Sequence, residues 1–360
     1  MAITAAMVKE LRETSGAGMM ECKKALTETD GDMEAAIEVL KKSGAMKAVK
    51  KASRIAAEGV ARAAICGNTA AVVEVNSETD FVAKNEKFTT FVEAVANQAL
   101  NTAAADMDAF LAEAWAADTS KTVNDVLTEQ IAVIGEKLSI RRFEKVSGEV
   151  VTSYIHGGGK IGVLVAGEGA SDDAAKEALT NVAMQIAAMS PQYVSQNDIS
   201  ADELAKMKEI TIDSALNDPA SLPKPILMAL FAKVEADKLF SDADAAILAE
   251  KKNDKYLFNF LSDEAKAKLA ELAMADKAKY VEDKIFVGLV DGRIKKQVKE
   301  ISLLEQTYVK AEDGKQTVAQ YLATVNKALV ITKMVRFEVG EGMEKKNENF
   351  AEEVAKQMGN

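Results

Sequence analysis

Histidine is the side chain most often used to move protons in catalysis, and this 360-residue chain has one, His156. A Ser-His-Asp or Cys-His arrangement could be built only around it, and no acid or nucleophile in a recognisable elbow stands near it in sequence. The run Gly157-Gly158-Gly159-Lys160 has a phosphate-loop flavour but lacks the Gly-x-x-x-x-Gly-Lys-Ser/Thr spacing and precedes a strand pattern, so a hairpin turn accounts for it better. Cys22 and Cys66 lie far apart without a CxxC spacing, which argues against a disulfide framework and a zinc site. No catalytic residue, metal ligand or cofactor site is therefore predicted. What remains is Asn76-Ser77-Glu78-Thr79-Asp80-Phe81-Val82-Ala83-Lys84-Asn85, which follows an apolar strand pattern at 69–75 and opens a helical one. A polar loop there presents an acid beside a phenyl ring. Such a pair breaks no bonds by itself, but it suits a probe that enters another protein. The bland alternative has Phe81 starting the helix and packing locally, with Thr79 or Asp80 as N-cap.

The bulk properties limit the partners. The length exceeds one average core, so two or more domains are expected. Apolar content of 48% and charged content of 28% are those of a soluble globular protein, and abundant alanine leans towards helix. A net charge of −11 argues against nucleic acid as the main partner, because phosphate binding needs a basic surface. The start Met1-Ala2-Ile3-Thr4-Ala5-Ala6 lacks the basic region and apolar run of a signal peptide, and no segment has the apolar length of a membrane span. A cytoplasmic protein without membrane contact is the expectation.

Three short helices are predicted over residues 1–44. Thr4 caps the first, which buries Met7, Val8 and Leu11; the second covers 19–28; Asp32 caps the third, which buries Ala36, Ile37 and Leu40 and ends at Gly44. A basic linker, solvated and helical, spans 41–54. A module this small resembles a ubiquitin-associated domain. The centre then repeats itself. Strand patterns at 59–65 and 71–75 lead to a helix burying Phe88, Phe91, Val92 and Val95, and about 90 residues on, 148–154 and 161–165 lead to a helix burying Leu179, Val182, Ile186 and Met189. Two related halves with antiparallel sheets follow, and only the first carries the Asp-Phe pair.

Residues 122–135 read as helix and 138–146 as strand. Ser200 and Glu203 form a capping box. Pro219, Pro223 and Pro225 force a break, two helices follow in 226–260, and a long helix is predicted over 262–297 with Leu269, Leu272, Val281, Ile285, Leu289 and Val290 as its apolar stripe. A strand at 333–339 and a helix at 349–357 close the chain. The expected class is α+β: an N-terminal module and linker (1–54), two core halves (55–146 and 147–199), a long helical, coiled-coil-like arm (200–297), and a C-terminal return to the core (298–360). The arm could fold back on itself or pair between two copies, which leaves a homodimer open.

Several motifs in one order resemble translation elongation factor Ts, the nucleotide exchange factor of elongation factor Tu. They are Val8-Lys9-Glu10-Leu11-Arg12, Gly16-Ala17-Gly18-Met19-Met20-Glu21-Cys22-Lys23-Lys24-Ala25-Leu26 and Thr79-Asp80-Phe81-Val82-Ala83-Lys84. Further on stand Ser153-Tyr154-Ile155-His156-Gly157, Ile161-Gly162-Val163-Leu164-Val165, Gly292-Arg293 and Arg336-Phe337-Glu338-Val339-Gly340-Glu341-Gly342. The resemblance implies a guanine nucleotide exchange factor that binds the GDP form of elongation factor Tu, is no enzyme and takes no cofactor. Thr79, Asp80, Phe81 and Val82 would enter the GTPase and dislodge its Mg²⁺. His156 and Gly157 would press on its phosphate-binding loop, and Arg12, Met19 and Met20 would grip it. Adjacent methionines on a helix point about 100° apart, so at least one of the pair is expected free of the small core. The arm departs from the family pattern: it is enlarged between Asp218 and Ala278, Lys277-Ala278-Lys279-Tyr280 replaces a usual Gly-Lys-Pro, and Thr307 replaces a usual proline. The alternative is a non-enzymatic ubiquitin-associated-type adaptor or chaperone cofactor, which would bind clients without nucleotide dependence.

Overall fold

The computed structural model describes residues 3–15 and 17–344. The expected helix at 349–357 lies outside the described residues. The chain divides into two compact units, residues 1–190 with 308–360 and residues 191–307. The second unit is thus wider at both ends than the arm marked by periodicity alone.

The first unit begins with α1 (Ala5–Ser15), α2 (Met19–Glu28) and α3 (Met33–Lys51). Their small core is Val8, Leu11, Cys22, Ala25, Leu26 and Ala36. Asp32 caps α3 by accepting from the Ala35 N–H at 2.9 Å. Gly44 does not end α3, contrary to the expected stop. A hydrogen at Cα lets α3 lie close against a later helix, where a Cβ would come within 3.3 Å of Ala132. The basic linker is therefore the second half of one helix.

Next come β1 (Glu58–Cys66) and β2 (Thr69–Ser77), then the single turn α4 (Asp80–Ala83) and α5 (Glu86–Asn101). Residues 102–121, where periodicity gave no element, form α6 (Met107–Ala112) and a small hairpin of β3 (Ala114–Trp115) and β4 (Asp118–Thr122). These bury Phe110 and Trp115 over the core. Thr122 caps α7 (Val123–Ile134), and Gly135 ends it in the left-handed conformation before β5 (Leu138–Ser147). The second half repeats the scheme with β6 (Val150–His156), β7 (Ile161–Glu168) and α8 (Asp173–Met189).

The second unit holds α9 (Ala201–Asn217), α10 (Lys224–Asp237), α11 (Asp242–Lys251), α12 (Asp263–Ala275), the turn α13 (Lys277–Tyr280) and α14 (Lys284–Ile301). Ser200 and Glu203 form the expected capping box. The long helix expected over 262–297 is broken, because Asp283 caps a fresh start by accepting from the Ile285 and Phe286 N–H groups. That restart turns Phe286 inward and leaves Ile285 and Val281 exposed, correcting two positions of the predicted stripe. The unit has its own apolar core, with Leu216, Leu230, Phe231, Leu269 and Phe286. Its two ends are joined: Tyr193 accepts from Leu303 and Val194 from Leu304.

Back in the first unit, α15 (Val318–Val325) leads to β8 (Val330–Glu338). Two antiparallel three-stranded sheets result, ordered β1-β2-β5 and β6-β7-β8. Alternation decides the layers. Val73 and Val75 of β2 face Phe88, Phe91 and Val92 of α5, while Ala70 and Val72 meet Leu164, Ala166 and Phe337 of the other sheet. The core is α+β, helix on sheet on sheet on helix, and the third strand of each sheet comes from much later in the chain.

Glu74 is the exception within this apolar centre. Its buried carboxylate accepts from Arg141 Nη1 at 3.0 Å, Arg142 Nε at 2.6 Å, Asn76 Nδ2 at 3.1 Å and the Gly340 N–H at 2.8 Å. Arg142 also lies over the Phe337 ring, 4.2 Å from its centroid. Strand β2 thereby clasps the segment that follows β8.

Candidate functional site

At the end of β2 the chain leaves the sheet beside the start of β5, since Ser77 pairs with Leu138. Thr79 caps α4, its Oγ1 accepting from the Val82 N–H at 3.3 Å. The bland alternative was right about that cap and wrong about the ring. Phe81 is 82% exposed, whereas Ala83 is buried and Val82 packs against the core. A one-turn helix therefore anchors itself through its last two residues and projects its first two.

Asp80 forms an ion pair with Lys84 at 2.6 Å, one turn on. The Lys84 hydrogen bond holds the Asp80 carboxyl below its ordinary range, and Asp80 in turn raises Lys84. Lys160 adds to the depression of Asp80, and Glu58 to the rise of Lys84. Lys160 also pairs with Glu58 at 2.5 Å, and Glu58 faces Ser77 across the β1–β2 ladder. These four charges join the α4 turn to the turn after His156.

That second turn is a plain hairpin. Gly157, Gly158 and Gly159 all have positive φ, and the Gly159 carbonyl accepts from the Ala61 N–H at 2.7 Å. His156 stands exposed at the end of β6, its Nδ1 3.0 Å from the Tyr154 hydroxyl. It has no acid beside it to form a catalytic dyad, and among the described residues no cluster of three or more His, Cys, Asp or Glu could hold a metal. The arrangement offers contact and charge.

The N-terminal candidates sit on other elements. Met19 is 59% and Met20 74% exposed on the first turn of α2, so neither methionine enters the small core. Arg12 is exposed near the end of α1. Helix α3 links this module to the α4 turn: Lys51 donates to the Gly135 carbonyl, and Arg54 beyond it pairs with Glu78 at 3.2 Å.

Glu136 is the participant that sequence reasoning missed. Its Oε2 accepts from the Glu78 and Thr79 N–H groups at 3.1 Å each, and its Oε1 accepts from the Thr79 hydroxyl at 2.7 Å. The one available signal was that an acid follows the helix-ending Gly135; its target became visible only with the β2–β5 register.

Among the described residues no helix is long and apolar enough to cross a membrane. The model of the family "Elongation factor TS" matches residues 78–341. Over 99% of both chains, the sequence is 44% identical to "Elongation factor Ts" of Clostridioides difficile (strain 630). It is 42% identical to the protein of that name from Clostridium perfringens (strain 13 / Type A), again over 99% of both. Sequence motifs, α+β architecture and these likenesses agree: the chain belongs to the elongation factor Ts family of translation elongation factors.

Proposed function

We propose that the chain is a cytoplasmic guanine nucleotide exchange factor for elongation factor Tu, acting through the turn that carries Asp80 and Phe81. The carrying observation is a phenyl ring 82% exposed on a turn that the surrounding fold braces. A ring left in water at a fixed place gains by entering a pocket, and burying it supplies about 1.5–3 kcal/mol. With Asp80 beside it, the ring displaces a switch element, Mg²⁺ is held less well, and GDP leaves. By linkage, a factor that binds the empty GTPase more tightly than the loaded one weakens GDP by the same ratio.

The other parts take supporting roles. The hairpin at His156 and Gly157 presses on the phosphate-binding loop, joined to the probe through Glu58 and Lys160. The module of α1 to α3 grips the GTPase with Arg12, Met19 and Met20. The helical unit and the C-terminal segment keep the partner in register. The factor itself binds no nucleotide, cofactor, nucleic acid or membrane.

The test uses elongation factor Tu loaded with fluorescent GDP, catalytic amounts of this protein and excess unlabelled nucleotide. Accelerated release, slowed at least about tenfold by Phe81→Ala, is the expected result. Near wild-type release by that variant removes the wedge mechanism. Release that the wild-type protein leaves unchanged removes the exchange function and favours the adaptor, whose binding would ignore nucleotide.

A further inference from the structure

A helix of four residues cannot hold itself, because nucleation costs more than one turn returns. Something else must aim Phe81. We propose that Glu136 is the positioning residue of the exchange reaction, setting the direction in which α4 projects the Phe81 ring; this rests on the exchange function above.

The geometry is specific. Gly135, left-handed with φ +85°, turns the chain out of α7 and delivers Glu136 beside the end of β2. One carboxylate oxygen takes the two consecutive N–H groups of Glu78 and Thr79; the other takes the Thr79 hydroxyl proton. With its proton committed to Glu136, that hydroxyl turns a lone pair to the Val82 N–H and so caps α4. Glu136 thereby orients the cap as well as the backbone that leads into it. The bracing is reciprocal. The Glu78 carboxylate accepts from the Lys137 N–H at 2.6 Å and from Arg54 at 3.2 Å, and Lys137 Nζ donates to the Arg54 carbonyl at 2.8 Å. Charge-assisted bonds of this kind are stronger and more directional than neutral ones. Phe81 makes no core contact that could place it, so its direction is inherited from the turn that carries it: Val82 and Ala83 pin the C-terminal end of that turn to the core, and this clamp sets its N-terminal end.

The test compares Glu136→Ala, Glu136→Gln, Phe81→Ala and the Glu136→Ala/Phe81→Ala double variant in the fluorescent-GDP release assay, with hydrogen exchange at the Glu78 and Thr79 amides. Glu136→Ala should lower the maximal release rate by up to about tenfold, the scale of losing the Phe81 ring itself, while the factor concentration at half-maximal rate stays near wild type. The two amides should exchange faster. Glu136→Gln should fall between, since its one amide oxygen still accepts from the paired N–H groups. On the Phe81→Ala background Glu136→Ala should cost much less than it does on the wild type, because the ring it chiefly aims is gone and only Asp80 beside it is still directed. A wild-type maximal rate in Glu136→Ala overturns the proposal, as do effects that multiply in the double variant. If Glu136→Ala does not fold, Thr79→Val, which removes only the held hydroxyl, must slow release and Thr79→Ser must restore it; unchanged release by Thr79→Val is equally fatal. Failure of the wild-type protein to accelerate release overturns the exchange function and this proposal together, whereas acceleration by the wild type and Glu136→Ala alike overturns this proposal alone.

Discussion

Phe81 and Glu74 are opposite uses of a single side chain. Phe81 spends its apolar surface in water, so Phe81→Ala should leave the thermal midpoint almost unmoved, within about 0.5 kcal/mol, while exchange falls. Calorimetry beside the release assay checks both halves. Glu74 is buried, and burial by itself would push its carboxyl up; the bonds from Gly340, Arg141 and Asn76 and the charge of Arg142 outweigh that and hold it low. A depressed folded-state value means that its contribution is present above the ordinary 4.5 and is lost as pH falls through the folded value. Glu74→Gln should therefore cost about 3 kcal/mol at neutral pH, by leaving two guanidinium groups half-answered, and should flatten the acid limb of the stability profile. Asp80 obeys the same sign on the surface. Lys84→Met should raise its pKa towards the ordinary 3.8, which a carboxyl NMR titration would show. The Asp-Phe pair was legible in sequence because a strand pattern passes straight into a helical one there. Its brace was not, since Glu136 lies 58 residues from Glu78.

Among the elements, the hairpin after His156 separates backbone freedom from space. A Cβ at Gly158 meets nothing within 4 Å, whereas one at Gly159 would come within 2.9 Å of the Val60 Cβ and closer still to Arg62. Gly158→Ala should thus cost about 1 kcal/mol for its left-handed φ alone. Gly159→Ala should cost more and shift the turn off β1, lowering exchange in the GDP-release assay as well as the melting midpoint. Helix α3 teaches a related point. A glycine reads as a stop in one dimension, yet Gly44 is where α3 needs no side chain to lie beside α7. Local pattern erred again in α14. Ile285 and Phe286 fit a helical stripe equally, and the Asp283 cap decided for Phe286 by setting where the helix begins.

At the scale of the whole molecule, two units each own an apolar core, residues 191–307 holding one of them. Cooperative unfolding follows cores, so calorimetry of the full chain should depart from a single two-state transition. The fragment 191–307, whose ends are joined by the Tyr193 and Val194 carbonyls, should fold alone with a helical circular dichroism spectrum and a cooperative melt. A fragment that stays unfolded would show that its core is completed elsewhere.

By itself the amino-acid sequence determined the family, the α+β class, the paired hairpins and the acid beside a phenyl ring at Asp80 and Phe81, because hydrophobic period, caps and turn residues act over a few positions. Only the tertiary structure decided what holds the turn that carries Phe81 and what ends or continues a helix. Glu136 finds Thr79 through strand register, Gly340 finds Glu74 through the return of β8, and Gly44 finds Ala132 through packing. Each depends on partners brought from far along the chain, and spacing in one dimension carries no record of which distant surfaces will meet.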